Sequence, residues 1–144
     1  MYINSIDSSK AFDTVWRPGL FYKFIDQILQ EERRILWLYY SNSLILIQLN
    51  QVCSQTFKIS GGVKEGGPLS PKLNNINIAE LIDITNKLEM GAIINKMRIN
   101  ILVHADDIIL VSPLRRDLID MLNATMDYME LWKIKINVQK KLNR

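Results

Sequence analysis

Ile99-Asn100-Ile101-Leu102-Val103-His104-Ala105-Asp106-Asp107-Ile108-Ile109-Leu110-Val111 is the stretch on which the fold turns. Two apolar runs, 99–103 and 108–111, flank four residues that include adjacent acids, and Pro113 closes the second run. That pattern predicts a β-hairpin with Asp106 and Asp107 at its tip. Charges at the ends of buried strands are costly unless they turn to solvent, pair, or coordinate a metal. Two carboxylates about 4 Å apart repel by roughly 4 kcal/mol at an intermediate dielectric. A divalent cation cancels that repulsion, and hard Mg²⁺ prefers carboxylate oxygen. Taken alone, the pair is more simply a solvated turn, since Asp is a common turn residue.

Upstream, Tyr2-Ile3-Asn4-Ser5-Ile6 reads as a short alternating strand that ends at Asp7. If that strand lies beside the hairpin, Asp7 and Asp106 become able to hold two metals about 3.5–4 Å apart. Residues 20–40 are helical in character, with Phe21, Phe24, Ile25, Ile28 and Leu29 on one face. Glu31-Glu32 and Arg33-Arg34 mark either the solvated side or a break between two helices. Residues 44–49 and 52–59 read as two strands around Asn50-Gln51. Gly61-Gly62-Val63-Lys64-Glu65-Gly66-Gly67-Pro68 is a loop whose glycines admit backbone where a side chain would obstruct it.

Ser70-Pro71 predicts an N-cap with proline at the first helical position, opening a helix that runs to about Leu88. Leu114, Leu118, Met121, Leu122, Thr125, Met129 and Trp132 recur at helical spacing. A last strand, Ile134-Lys135-Ile136, leads to a basic end. The order β, α, α, ββ, α, ββ, α, β predicts an α+β fold, an antiparallel sheet with helices packed on one face.

The 144 residues suit one domain or a piece of a larger one, and 48% hydrophobic against 23% charged residues supports a packed core. A net charge of +3 tilts toward an anionic partner such as nucleic acid. Cys53 is the only cysteine, which excludes an internal disulfide and a cysteine-rich zinc site and suits a small core or strand residue. No signal peptide or membrane-length apolar run is visible, so an intracellular location, nuclear or cytoplasmic, is expected.

Four blocks, in order, carry a resemblance. Ile6-Asp7-Ser8-Ser9-Lys10-Ala11-Phe12-Asp13-Thr14-Val15, Gly62 through Pro71, His104-Ala105-Asp106-Asp107, and Trp132 with Ile136-Asn137-Val138-Gln139-Lys140 resemble palm motifs of reverse transcriptases of LINE-type (non-LTR) retrotransposons. The resemblance covers residues 1–144 as a partial reverse transcriptase domain, a palm with fingers and thumb largely missing. It implies an RNA-directed DNA polymerase transferring dNTPs to a primer 3′-hydroxyl with two Mg²⁺ (or Mn²⁺) ions on Asp7, Asp106 and Asp107. Lys140 matches the lysine that protonates the departing pyrophosphate. Lys10, Ala11, Phe12, Glu65 and Gly66 fall where the family contacts the nucleotide, Phe12 against the sugar. Asp13 lies outside the metal position and reads as a turn or capping residue. The implied partners are an RNA template, a DNA primer, and the fingers and thumb segments of a longer polyprotein.

Three positions depart from the pattern. Glu65 stands for the usual Gln, which turns a donor amide into an acceptor. His104 stands for Tyr beside the acids. Asn74 stands for Phe; if that position is buried, losing a ring costs on the order of 3–5 kcal/mol, and an unpartnered amide adds to it. These departures motivate a second reading, a catalytically inactive remnant that binds nucleic acid or protein. A phosphoacceptor receiver domain also clusters acids at strand ends, but its adjacent acids come early in the chain.

Overall fold

The computed structural model describes residues 1–8, 12–25, 27–64 and 66–137. At its centre lies a three-stranded antiparallel sheet built from β1 (Tyr2–Asp7), β8 (Ile101–His104) and β9 (Asp107–Ser112), in the order β1-β9-β8. The hairpin and the neighbouring first strand therefore form as the alternation predicts. Ile6 faces Ile108 and Asn4 faces Leu110 across the β1–β9 register. Strand alternation sends this set to one face. There Ile6, Ile108 and Leu110 meet Ile78 and Leu81 of α3 (Ser70–Lys87) and Met121, Tyr128 and Met129 of α4 (Arg115–Leu131). The helices thus cover one side of the sheet, as expected.

A second cluster joins Val15 with Leu20, Phe21 and Phe24 around α1 (Arg17–Lys23), Tyr40 of α2 (Gln30–Ser41), and Val63 and Leu73. α1 ends at Lys23 and α2 begins at Gln30, so the break comes ahead of the charged run rather than within it. Glu32 explains the shift: its carboxylate accepts the Leu29 backbone N–H at 3.2 Å and so caps the start of α2. The acids belong to the first turn, where the helix dipole favours them.

Other expectations need correction. The two strands expected over 44–59 are four short ones, β2 (Leu44–Ile45), β3 (Gln48–Leu49), β4 (Val52–Cys53) and β5 (Phe57–Lys58). They pair as β2–β5 and β3–β4, and Cys53 is an exposed strand residue rather than a core one. The apolar run 99–103 is divided, because Asn100 is buried and ends β7 (Met97–Ile99), which pairs with β6 (Ala92–Ile94). Its amide donates to the Thr85 carbonyl at 3.0 Å while its side-chain oxygen accepts from Ile101 at 2.8 Å. A polar residue with two such partners competes well with a continuous strand. Ser70 is the first helical residue rather than the cap, its hydroxyl donating to the Lys64 carbonyl. The expected last strand is reduced to a single bridge between Ile136 and Ser8. Among the described residues, no helix is long and apolar enough to cross a membrane.

Lys23 ties α1 to α3 and α4. Its side chain is 6% exposed, donates to the Asn77 carbonyl and the Tyr128 hydroxyl, and lies 3.5 Å from Glu80. The ammonium also sits 3.9 Å from the centre of the Trp132 ring. Burial pulls Lys23 down to about 8, with Glu80 opposing the pull. The folded chain therefore releases this proton earlier than the unfolded chain. Between about pH 8 and 10.5 the unfolded state holds more protons, and the contribution of Lys23 to stability rises with pH. Urea denaturation across that window is expected to show wild type gaining on the order of 2 kcal/mol relative to Lys23→Met. Parallel pH profiles for the two proteins contradict the burial account.

Candidate active site

Asp7 and Asp107 are direct cross-strand partners at the end of the sheet. The next step of the ladder is hydrogen-bonded, Ser8 donating its N–H to the Asp106 carbonyl at 2.9 Å. Asp7 and Asp107 consequently form a non-hydrogen-bonded pair, the position at which facing side chains approach most closely. His104 is the partner of Asp107 on the other side. Register places all three on the face opposite the helices, one residue out of phase with Ile6 and Ile108.

The hairpin turns through Ala105 and Asp106, and Asp107 is the first residue of β9. Ala105 has φ 52°, a left-handed conformation that carries a cost for a residue with a Cβ. Two neighbours, Ser8 and Asn74, hold the turn, and a third, Asn137, holds the end of β1 beside it. The Ser8 hydroxyl adds a second bond to the Asp106 carbonyl at 3.0 Å. Asn137 donates its backbone N–H to the Asp7 carbonyl at 2.8 Å and its amide to the Asp7 carboxylate at 3.1 Å. Asn74, from α3, donates to the Ala105 carbonyl at 3.1 Å.

That last bond revises the expectation for position 74. Asn74 is buried, at 3% exposure, but its amide is not orphaned. Phe12 is half-buried and packs against the cluster around Val15 and Phe21, so its ring contributes to the core. Asp13 lies in an exposed turn, as expected. Lys10, Ala11, Glu65 and Lys140 lie outside the described residues.

The glycine loop is stitched to the segment that follows β1. Val63 donates to the Phe12 carbonyl at 2.7 Å and Gly62 to the Val15 carbonyl at 2.9 Å. Arg17 reinforces the seam from inside, donating to the carbonyls of Gly62, Tyr40 and Ile59 at 2.7–2.8 Å while 6% exposed. Nothing in the sequence around Trp16-Arg17-Pro18 signals this role. Asn137 likewise carries no local sign of its contact with Asp7, which joins chain segments 130 residues apart.

The three acids are not gathered into a ready cage. Among the described residues, no three His, Cys, Asp or Glu side chains converge in a group able to hold a metal ion. The opposed pair, Asp7 and Asp107, still supplies hard oxygen donors of the number Mg²⁺ commonly takes from protein, the rest coming from water and phosphates. A cleft of about 340 Å³ lies elsewhere, between α1 and α3 beside Trp132. Lys23 at its wall already donates to Asn77 and Tyr128, so its ammonium serves packing.

The profile of the family described as "Reverse transcriptase (RNA-dependent DNA polymerase)" matches residues 1–142. The chain is 28% identical to the Pol polyprotein of the type-2 retrotransposable element R2DM of Drosophila melanogaster, over 96% of this chain and 13% of that protein. It is 30% identical to the Pol polyprotein of the type-1 retrotransposable element R2 of Popillia japonica, over 94% of this chain and 23% of that protein. The RNA-directed DNA polymerase from the mobile element jockey of Drosophila melanogaster is 24% identical over 96% of this chain and 15% of its own length.

The two glycines of the loop differ in what they tolerate. Gly62 has φ +73° and a Cβ there would lie 2.5 Å from the Asp13 carbonyl oxygen, whereas Gly66, also at φ +73°, has open space. Gly66→Ala is expected to cost about 1 kcal/mol from backbone conformation alone. Gly62→Ala should cost at least about 3 kcal/mol, because backbone must move as well. Chemical denaturation of both variants checks this, and equal losses contradict the close approach.

Proposed function

Because the chain belongs to the reverse transcriptase family, as a domain of the non-LTR retrotransposon kind, we propose that it carries the palm of an RNA-directed DNA polymerase and works within a longer polyprotein. The observation that supports this reading is the pairing of Asp7 with Asp107 at the open end of the sheet. Like charges directly opposite one another destabilise a sheet, and a cation recruited by the pair would offset that repulsion. Bound Mg²⁺ or Mn²⁺, two ions in this reading, would supply activation of a primer 3′-hydroxyl and stabilisation of the leaving pyrophosphate.

The chain's own residues do the positioning. Asp7 and Asp107 offer carboxylates from rigid strands, with Asp106 beside them on the turn. Asn137 orients the Asp7 carboxylate through the bond at 3.1 Å. Gly66, with open space around it, lets the loop backbone approach a nucleotide. Lys10, Ala11, Phe12 and Glu65 complete the proposed nucleotide contacts, and Lys140 the proposed proton donor. An RNA template, a DNA primer and dNTPs are the partners, and the nucleus or cytoplasm is where such partners are found.

The lack of a converged three-donor group among the described residues favours a second reading, a remnant that keeps the fold and binds nucleic acid or protein without catalysis. Calorimetric Mn²⁺ titration separates the two. Wild type should bind, with affinity at least tenfold weaker in Asp7→Asn, Asp106→Asn and Asp107→Asn, since each substitution removes a charge that draws the cation. Superimposable curves for all four proteins would sink the polymerase reading and leave the remnant.

A further inference from the structure

We infer that Asn74 is a positioning residue for the acidic turn, holding Ala105 in its left-handed conformation and so setting where Asp106 and Asp107 present their carboxylates. In a two-residue hairpin loop the first loop carbonyl has no partner in the ladder. Here that carbonyl belongs to Ala105, and it accepts the Asn74 amide at 3.1 Å. Ala105 would relax toward negative φ if released, because its Cβ is crowded at φ 52°. The next carbonyl, that of Asp106, is held separately by the N–H and hydroxyl of Ser8. Two successive peptide groups are thus clamped, one from the helix layer by Asn74 and one by Ser8, the residue that follows β1.

Asn74 is well placed to be firm. It is 3% exposed, one turn into α3, beside the buried Leu73 and one turn ahead of the buried Asn77 and Ile78. The start of the same helix is anchored to the glycine loop by Ser70, which donates to the Lys64 carbonyl. Through α3 the loop that precedes it and the acidic turn therefore share one rigid support. An apolar residue at position 74 fills space but cannot donate, and leaves the Ala105 carbonyl without this bond.

Only the functional meaning of this clamp rests on the metal reading; the clamp itself is tested without metal. Amide exchange by nuclear magnetic resonance is measured on wild type, Asn74→Leu, Ala105→Gly and the double variant. Asn74→Leu, near in size but no donor, should speed exchange of the Ser8 amide about tenfold and shift the signals of residues 104–107. Glycine adopts positive φ without the Cβ penalty, so Ala105→Gly should restore most of both effects in the double variant. A role in core filling alone predicts no such rescue. Unchanged tip signals in Asn74→Leu, or changes that Ala105→Gly leaves as they are, overturn the inference. If Asn74→Leu does not fold, Ala105→Gly by itself decides: a raised melting temperature supports the restrained turn and a lowered one overturns it. Mn²⁺ broadening on the same samples keeps the readings apart. A tip that responds to Asn74 while no variant binds Mn²⁺ supports the clamp and overturns the metal reading.

Discussion

The register that sets Asp7 against Asp107 is the constraint on which the site depends. Because side chains alternate along a strand, the same register sends Ile6 and Ile108 into the helix-covered core and the acids to the open face. A slip of one residue would bury two carboxylates and expose the apolar set, at a cost far above that of any single contact in the sheet. The core and the acidic pair therefore specify each other.

Around that register, polar side chains reach across large sequence separations to settle local geometry. Asn137, Asn74 and Ser8 each satisfy or orient a group at the acidic end, and two of the three are asparagines. Asparagine can donate and accept from one short planar group, which suits fixing a backbone carbonyl or a carboxylate inside a packed seam. Arg17 does comparable work for the glycine loop with a rigid fork of donors aimed at three carbonyls. Ser8, Asn74 and Arg17 are buried with hydrogen-bond partners for their polar atoms, which is what makes their burial affordable.

The α1–α2 region shows how local chemistry overrides periodicity. Helical spacing sets Phe21, Phe24, Ile25, Ile28 and Leu29 on one face, yet the chain leaves the helix after Lys23 and re-enters at Gln30. Two local facts go with it: Phe24 is buried in the second core cluster, and Glu32 caps a helix whose N-cap, Leu29, lies three residues before it. Asn100 acts in the same way on the run that precedes the acidic hairpin, where one buried amide divides what hydropathy reads as a single strand.

The sequence by itself determined the hairpin, the neighbouring first strand, the two long helices and the acids at the strand ends. Alternation, helical spacing and charge at the edge of apolar runs are all local signals, written within a few residues of where they act. It also carried the family, because four short blocks in order do not need a fold to be read. Only the tertiary structure decided that Asp7 faces Asp107, that Asn74 is partnered rather than orphaned, that Arg17 is buried, and that the three acids do not converge as a cage. Each of those depends on which distant segments meet, and a polar side chain carries no local sign of whether it will find its partner. The acids at the hairpin are legible from the chain; the clamp that sets their direction exists only because α3 packs beside the turn.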